Sequence, residues 1–396
     1  MRISTGQMFN NNMSSLLRGQ NNANNLLAQM SSGKRVNTGA DDPIASAMID
    51  NLKQDSALIG QYMKNIDRGN HRLSVAESNL GSADSLVTNM REQILRGMNG
   101  TLSESEHNAI VAEMKATLDE LMSVANTKDE SGNYIFGGNK VDKPPFVMDN
   151  EGNVTYQGDD GVHNMMVGSG VVVATNVSGE QAFMQGKNPL GDYTASYHAG
   201  QSGDFNVSSA KITDPDNHVA GDFSMTMNGA DLEVKDKDGN VIKTVADFDP
   251  SKPVEFNGME VTLDGLPADG DTVSLKPQST VSTFETLSKA IAIFEDQDKL
   301  NSAAGQSELT QLLGEARQGS IQLNYSRAET GNKLNHLESL ANTHAEQALI
   351  NNTAQGQLEN LDYSSAISDF TQQELAMNAL STTFSKLNAT SLFDYL

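Results

Sequence analysis

The residues best equipped for chemistry lie in "SSGKRVNTGADDPIASAM", residues 31 to 48, where Lys34 and Arg35 precede the adjacent carboxylates Asp41 and Asp42. Two carboxylates can divide acid and base roles when a pocket and a third group place them in different environments. Neighbouring side chains at the start of a helix diverge instead. Asp42 is also a good N-cap, and Pro43 suits the first helical position, where a missing N–H costs nothing. On this reading "SSGKRVNTG" ends one helix and "ADDP" begins the next. Gly33, Lys34, Arg35, Asn37, Asp41, Asp42 and Pro43 then form a joint rather than a catalytic site.

Other constellations meet the same fate. Asp236, Asp238, Asn240 and Asp247 fit positions 1, 3, 5 and 12 of a calcium-loop template, but Val241 stands where the turn needs glycine. "KDGN" reads instead as a hairpin turn. The histidines (His71, His107, His163, His198, His218, His336 and His344) include no pair four apart, the spacing of a helical zinc site. "VGSGVVV" lacks the third glycine of a dinucleotide fingerprint and precedes a strand-like run. No serine sits in a nucleophile elbow. With Cys 0 in the composition, thiol nucleophiles, thiolate metal sites and disulfides are excluded. These residues predict no enzyme activity, no cofactor and no metal.

Charge narrows the partners. With 51 acidic and 27 basic residues the formal net charge is -24, which repels a phosphate backbone, so no nucleic-acid partner is expected. No segment reaches the roughly 18–20 consecutive apolar residues of a membrane span, and no cleaved signal sequence follows Arg2.

The elements that must position the joint follow from periodicity. Leu52, Ile59, Ile66, Leu73, Leu80, Val87 and Ile94 recur every seventh residue, with Asp55, Tyr62, Gly69, Ala76, Ala83 and Met90 between them. This seam predicts a helix from Pro43 to Gly97, about 80 Å long at ~1.5 Å per residue. Ser103 and Glu106 have the spacing of a capping box for a second helix with the stripe Ile110, Met114, Leu121 and Val124. Ser282 and Glu285 repeat that spacing before another seam of Leu309, Leu313, Ala316, Leu323, Leu334, Leu337 and Ala341.

Residues 141 to 280 differ. They hold 8 of the 9 prolines, 16 of the 33 glycines and no arginine, and they alternate apolar and polar residues between Gly-containing turns, the pattern of antiparallel strands. The two ends resemble each other. Met13, Leu16, Ala23, Leu27 and Met30 fit a 3-4 spacing, as do Tyr363, Ala366, Phe370, Met377, Leu380, Phe384 and Leu387. Residues 1 to 40 carry 4 basic and no acidic side chains, whereas residues 357 to 396 carry 5 acidic and 1 basic, which favours pairing the two arms.

The expected fold is α+β: a long antiparallel α-helical coiled-coil bundle built from both chain ends, with a β-rich middle. Its divisions are an N-terminal arm (1–42), the first half of a helical core (43–140), a β-rich part of that core (141–187), a β insertion (188–280), the second half of the core (281–360) and a C-terminal arm (361–396).

The joint resembles the signature that ends the first terminal helix in bacterial flagellins. Together with "MRIST", "GNYIFGGNKVDKPPF" and the ending "LDYSSAISDFTQQELAMNALSTTFSKLNATSLFDYL", it is similar to the hook-filament junction branch of the flagellin family. The likeness covers residues 1 to about 187 and 281 to 396. It implies an extracellular structural subunit of the bacterial flagellum, exported without a cleaved signal through the type III flagellar export apparatus and held on its C-terminal arm by a chaperone. The implied partners are the first hook-filament junction protein on the hook side, flagellin on the filament side, and copies of the chain in a ring. The assembly residues would be Met13, Leu16, Leu27, Met30, Phe370, Met377, Leu380, Phe384 and Leu387. A flagellin filament subunit and a cytoplasmic coiled-coil binding module are the alternatives.

Overall fold

A computed structural model describes residues 5–98, 102–149 and 152–389. The side chains of residues 5, 6, 8, 384 and 387–389 lie outside that description, and with them the proposed assembly side chains of Phe384 and Leu387. The protein is α+β, with long helices at both ends and antiparallel sheets between them. Two compact units divide it: Met1–Lys64 with Leu340–Leu396, and Asn65–Ser339.

Helix α1 runs Thr5–Ser32, α2 Pro43–Gly97 and α3 Glu104–Ala125. Local chemistry sets the starts of the latter two. Asp42 Oδ1 accepts the Ala45 N–H at 3.0 Å, and Ser103 and Glu106 form a reciprocal capping box. After the strands come α4 (Thr283–Glu295), α5 (Gln297–Leu300), α6 (Ala303–Glu359) and α7 (Tyr363–Ala389). Ser282 caps α4 by accepting the Glu285 N–H, while the Glu285 carboxylate pairs with Lys289 at 2.8 Å.

In the second unit, α2 and α6 lie antiparallel. The Arg327 guanidinium donates to Glu77 at 2.8 Å, and the Ser320 hydroxyl donates to the Asp84 carboxylate. Along α2, Ile66, Leu73, Leu80, Val87 and Ile94 are fully buried. On α6 the buried face repeats at Leu309, Ala316, Leu323, Thr330 and Leu337, again every seventh residue. Ile110, Met114, Leu118 and Leu121 of α3 and Leu287, Ile291 and Phe294 of α4 complete this helical core.

Residues 141–187 fold onto the same core. Strand β1 (Phe146–Met148) pairs with β2 (Val154–Tyr156), and β3 (Asn164–Gly168) with β4 (Val171–Ala174). A π-helical turn, Glu180–Met184, then sets Phe183 among Phe136, Phe146 and Phe284, with ring centroids 5.3–5.5 Å away.

The remaining strands have their own core. β6 (Tyr193–Tyr197), β8 (Phe223–Asn228), β9 (Asp231–Asp236), β10 (Val241–Val245) and β13 (Thr272–Pro277) form an antiparallel sheet in the order β10-β9-β8-β13-β6. β7 (Asp204–Ile212), β11 (Val254–Phe256) and β12 (Met259–Leu266) form a second, in the order β11-β12-β7. Tyr193, Met225, Val234 and Leu275 from the first sheet join Phe205, Val207, Val261 and Leu263 from the second in one buried cluster. The result is a β sandwich. Short pairs β5 (Gly186–Lys187) and β14 (Thr280–Val281) close its root.

Candidate assembly site

The first unit brings the joint and both arms together. Helix α1 ends at Gly33, whose φ of +70 is a left-handed conformation that suits glycine. From there the chain makes a minimal antiparallel bridge with the segment between α6 and α7. Leu361 N–H donates to Gly33 O at 3.0 Å, and Arg35 N–H donates to Glu359 O at 2.7 Å. Lys34 faces Asn360 across this bridge.

Side chains lock the bridge. Glu359, 7 % exposed, accepts Lys34 Nζ at 2.5 Å and Gln355 Nε2 at 2.7 Å, with Lys53 Nζ at 3.8 Å. The Lys34 hydrogen bond, followed by that of Gln355, holds the Glu359 carboxyl below its ordinary range. Arg35 reaches both Asp42 Oδ2 at 3.1 Å and Leu358 O at 3.0 Å. Beneath it Val36, Ala45 and Ile49 are buried with Leu358 against them.

The adjacent carboxylates have separate tasks. Asp41 accepts the backbone N–H groups of Asn37 and Thr38 and the Thr38 hydroxyl, which folds the loop, and Asp42 caps α2. The Thr38 N–H lowers the pKa of Asp41, and the Ala45 N–H, then Arg35, lowers that of Asp42. Both are therefore anchored as anions by backbone donors. That geometry serves a turn and a cap, and Pro43 follows as the first residue of α2.

The arms α1 and α7 lie against each other, antiparallel. Tyr363 Oη donates to Met30 O at 2.9 Å, and Gln373 Nε2 donates to Gly19 O at 3.1 Å. A Cβ at Gly19 would stand 3.1 Å from Gln373 Nε2 and 3.3 Å from Met377 Cγ, so glycine permits this close approach. Ala23 and Ala366 are buried, and Met13, Leu16, Met30, Phe370, Met377 and Leu380 are half-buried. Leu27 is 49 % exposed, as are Leu17, Ile367 and Leu375 at 51–64 %. Lys34 and Arg35 were legible as basic joint residues. Their partner Glu359, and Gly19, carry no local signal because the residues that give them meaning are hundreds of positions away.

The remaining chemistry-bearing residues are dispersed. Asp236 accepts the N–H groups of Asp238 and Asn240, both at 2.9 Å, as the β9–β10 hairpin turn, while Asp247 N–H bonds to Asp231. "VGSGVVV" spans the β3–β4 hairpin. His107 stacks on Phe294, His344 on Tyr62, and His218 bonds to Tyr193.

Residues 3–141 match the bacterial flagellin N-terminal helical region. Over 393 residues, 99 % of both chains, the protein is 26 % identical to flagellar hook-associated protein 3 of Salmonella typhimurium. The chain is a relative of flagellar hook-associated protein 3. The crystal structure of hook-associated protein 3 from Legionella pneumophila is likewise similar, with a TM-score of 0.68 and 26 % identity across 78 % of this chain and 98 % of that one. That of the flagellar junction protein FlgL from the same organism gives 0.66 and 25 %, across 79 % and 100 %. These hook-associated relatives are structural proteins of the flagellum.

The joint yields a measurable expectation. Glu359→Ala leaves Lys34 and Lys53 without their shared acceptor and should cost about 1–2 kcal/mol, less than for a fully buried charge because the Lys34 side chain is 47 % exposed. Hydrogen exchange should show earlier opening of α1 and α7. Unchanged protection of both helices would remove Glu359 from the joint.

Proposed function

We propose that the protein is a structural adaptor of the bacterial flagellum, joining the hook, through the first junction protein, to the flagellin filament. The observation that carries this reading is the first unit itself, whose paired arms leave large apolar side chains open to solvent. Leu349 and Ile350 of α6, at 67 % and 65 % exposure, add to those of α1 and α7. Such surface lowers its free energy when neighbouring copies cover it, so the arms are suited to a ring of subunits. Likeness to hook-associated protein 3 along 99 % of the chain, and to a flagellar junction protein along 79 % of it, supports the adaptor over the filament subunit. The flagellin N-terminal region alone spans residues 3–141.

On this reading the subunit acts outside the cell, leaves through the type III flagellar export apparatus and travels with a chaperone on its C-terminal arm. Its partners are the first junction protein on one side, flagellin on the other and copies of itself around the ring. Deleting the gene tests the role. An adaptor's loss leaves hooks in place and sheds unassembled flagellin into the medium. Normal filaments in the deletion strain, or no flagellin in its medium, would reject it.

A further inference from the structure

Helix α6 carries a buried polar stripe at Ser307, Gln311 and Glu315, each 5–8 % exposed and each four residues from the next. The stripe is where the β sandwich meets the helical core. Ser307 Oγ donates to Phe205 O at 2.6 Å and accepts from Gln201 Nε2 at 3.0 Å. Gln311 Nε2 donates both to Thr194 Oγ1 of β6 at 2.9 Å and to Glu315 Oε1 at 2.8 Å. Glu315 Oε2 accepts the Thr286 hydroxyl of α4 at 3.0 Å. One carboxylate thus ties α4, α6 and, through Gln311, the sandwich.

This carboxylate is poorly served as an anion. Among the described residues no cation lies within ion-pair distance of it, and the charged groups facing it from α4, Lys289 and Glu285, pair with each other at 2.8 Å. A buried charge held by two neutral donors is costly. Beside it, Gln311 Oε1 is buried with no hydrogen-bond partner. A protonated Glu315 keeps both contacts with no charge to bury: the Thr286 hydroxyl turns to accept the Glu315 O–H at Oε2, and Oε1 still accepts from Gln311 Nε2, which holds Thr194 as before.

We propose that Glu315 is a proton-operated lock between the β sandwich and α6, tight when its carboxyl is neutral and looser when it is ionised. Burial pushes this carboxyl above its ordinary range, and hydrogen bonds from Gln311 and Thr286 offset that only in part. The sign follows. Below the unfolded-chain value, about 4.5, the lock is fully made; docking is lost as pH rises through the higher folded value.

Hydrogen exchange on the full chain between about pH 4.5 and pH 8, corrected for intrinsic rates, tests this. In the wild type, protection of β6 and of residues 307–315 should rise as pH falls, by up to ~10-fold per pH unit while Glu315 titrates. Glu315→Gln, which mimics the neutral form, should hold the acid-level protection across the range. Thr194→Val should abolish the response in β6 and keep it around Glu315 in α6. Parallel wild-type and Glu315→Gln profiles, weaker protection of Glu315→Gln at neutral pH, or an unaltered β6 response in Thr194→Val would each overturn the proposal.

Discussion

Phe183→Ala should lower the unfolding free energy of the second unit by about 3–5 kcal/mol. The side chain is fully buried and touches three other phenylalanine rings, edge-on to Phe136 and Phe146 and stacked on Phe284. These rings come from four separate segments, so truncation leaves a cavity that no single backbone movement can close. The edge-on pairs contribute beyond their buried area, by about 0.5–1.5 kcal/mol each. Tyr156 Oη, which donates to Phe136 O at 3.0 Å, pins one wall of the site and limits its collapse. Urea unfolding followed by circular dichroism would measure the loss. Phe183→Leu fills most of the volume and should cost less than half as much. A loss below about 1.5 kcal/mol for the alanine variant would mean that the cluster repacks freely.

Leu73→Ala and Leu80→Ala should each cost about 2–5 kcal/mol, because both side chains are fully buried along α2. Leu80 belongs to the helical core with α3, α4 and α6, so the cost of its removal should appear in the unfolding of the whole second unit. Leu58→Ala gives the internal comparison. Leu58 is on the same helix but 49 % exposed, and its removal should change stability by less than about 0.5 kcal/mol. Equal effects at Leu58 and Leu80 would show that the seven-residue seam does not mark the packed face. The asymmetry has a functional side: a variant at an exposed position such as Leu58 or Leu349 can impair assembly while leaving the monomer as stable as before.

What the sequence determined by itself is the local part. Asp42 and Pro43 open α2 because a side-chain acceptor and a missing N–H satisfy the orphan donors of a helix start within three residues. Ser103 and Glu106 do the same for α3, and "KDGN" turns a strand because Asp236 can reach its own backbone. The repeat of seven marks which face of a long helix is apolar. It cannot say what that face meets. Tertiary structure decided that Lys34 finds Glu359, 325 residues away, and that Gln311 finds Thr194, 117 residues away. It also decided the strand order β10-β9-β8-β13-β6, in which β13 joins the sheet between β8 and β6, and it placed Phe136, Phe146, Phe183 and Phe284 in one cluster. A cap or a turn is closed by neighbours in the chain, so its energy is written in a few residues. A half-buried ion pair, a sheet order or an aromatic cluster depends on which distant surfaces come together, and only the folded chain settles that.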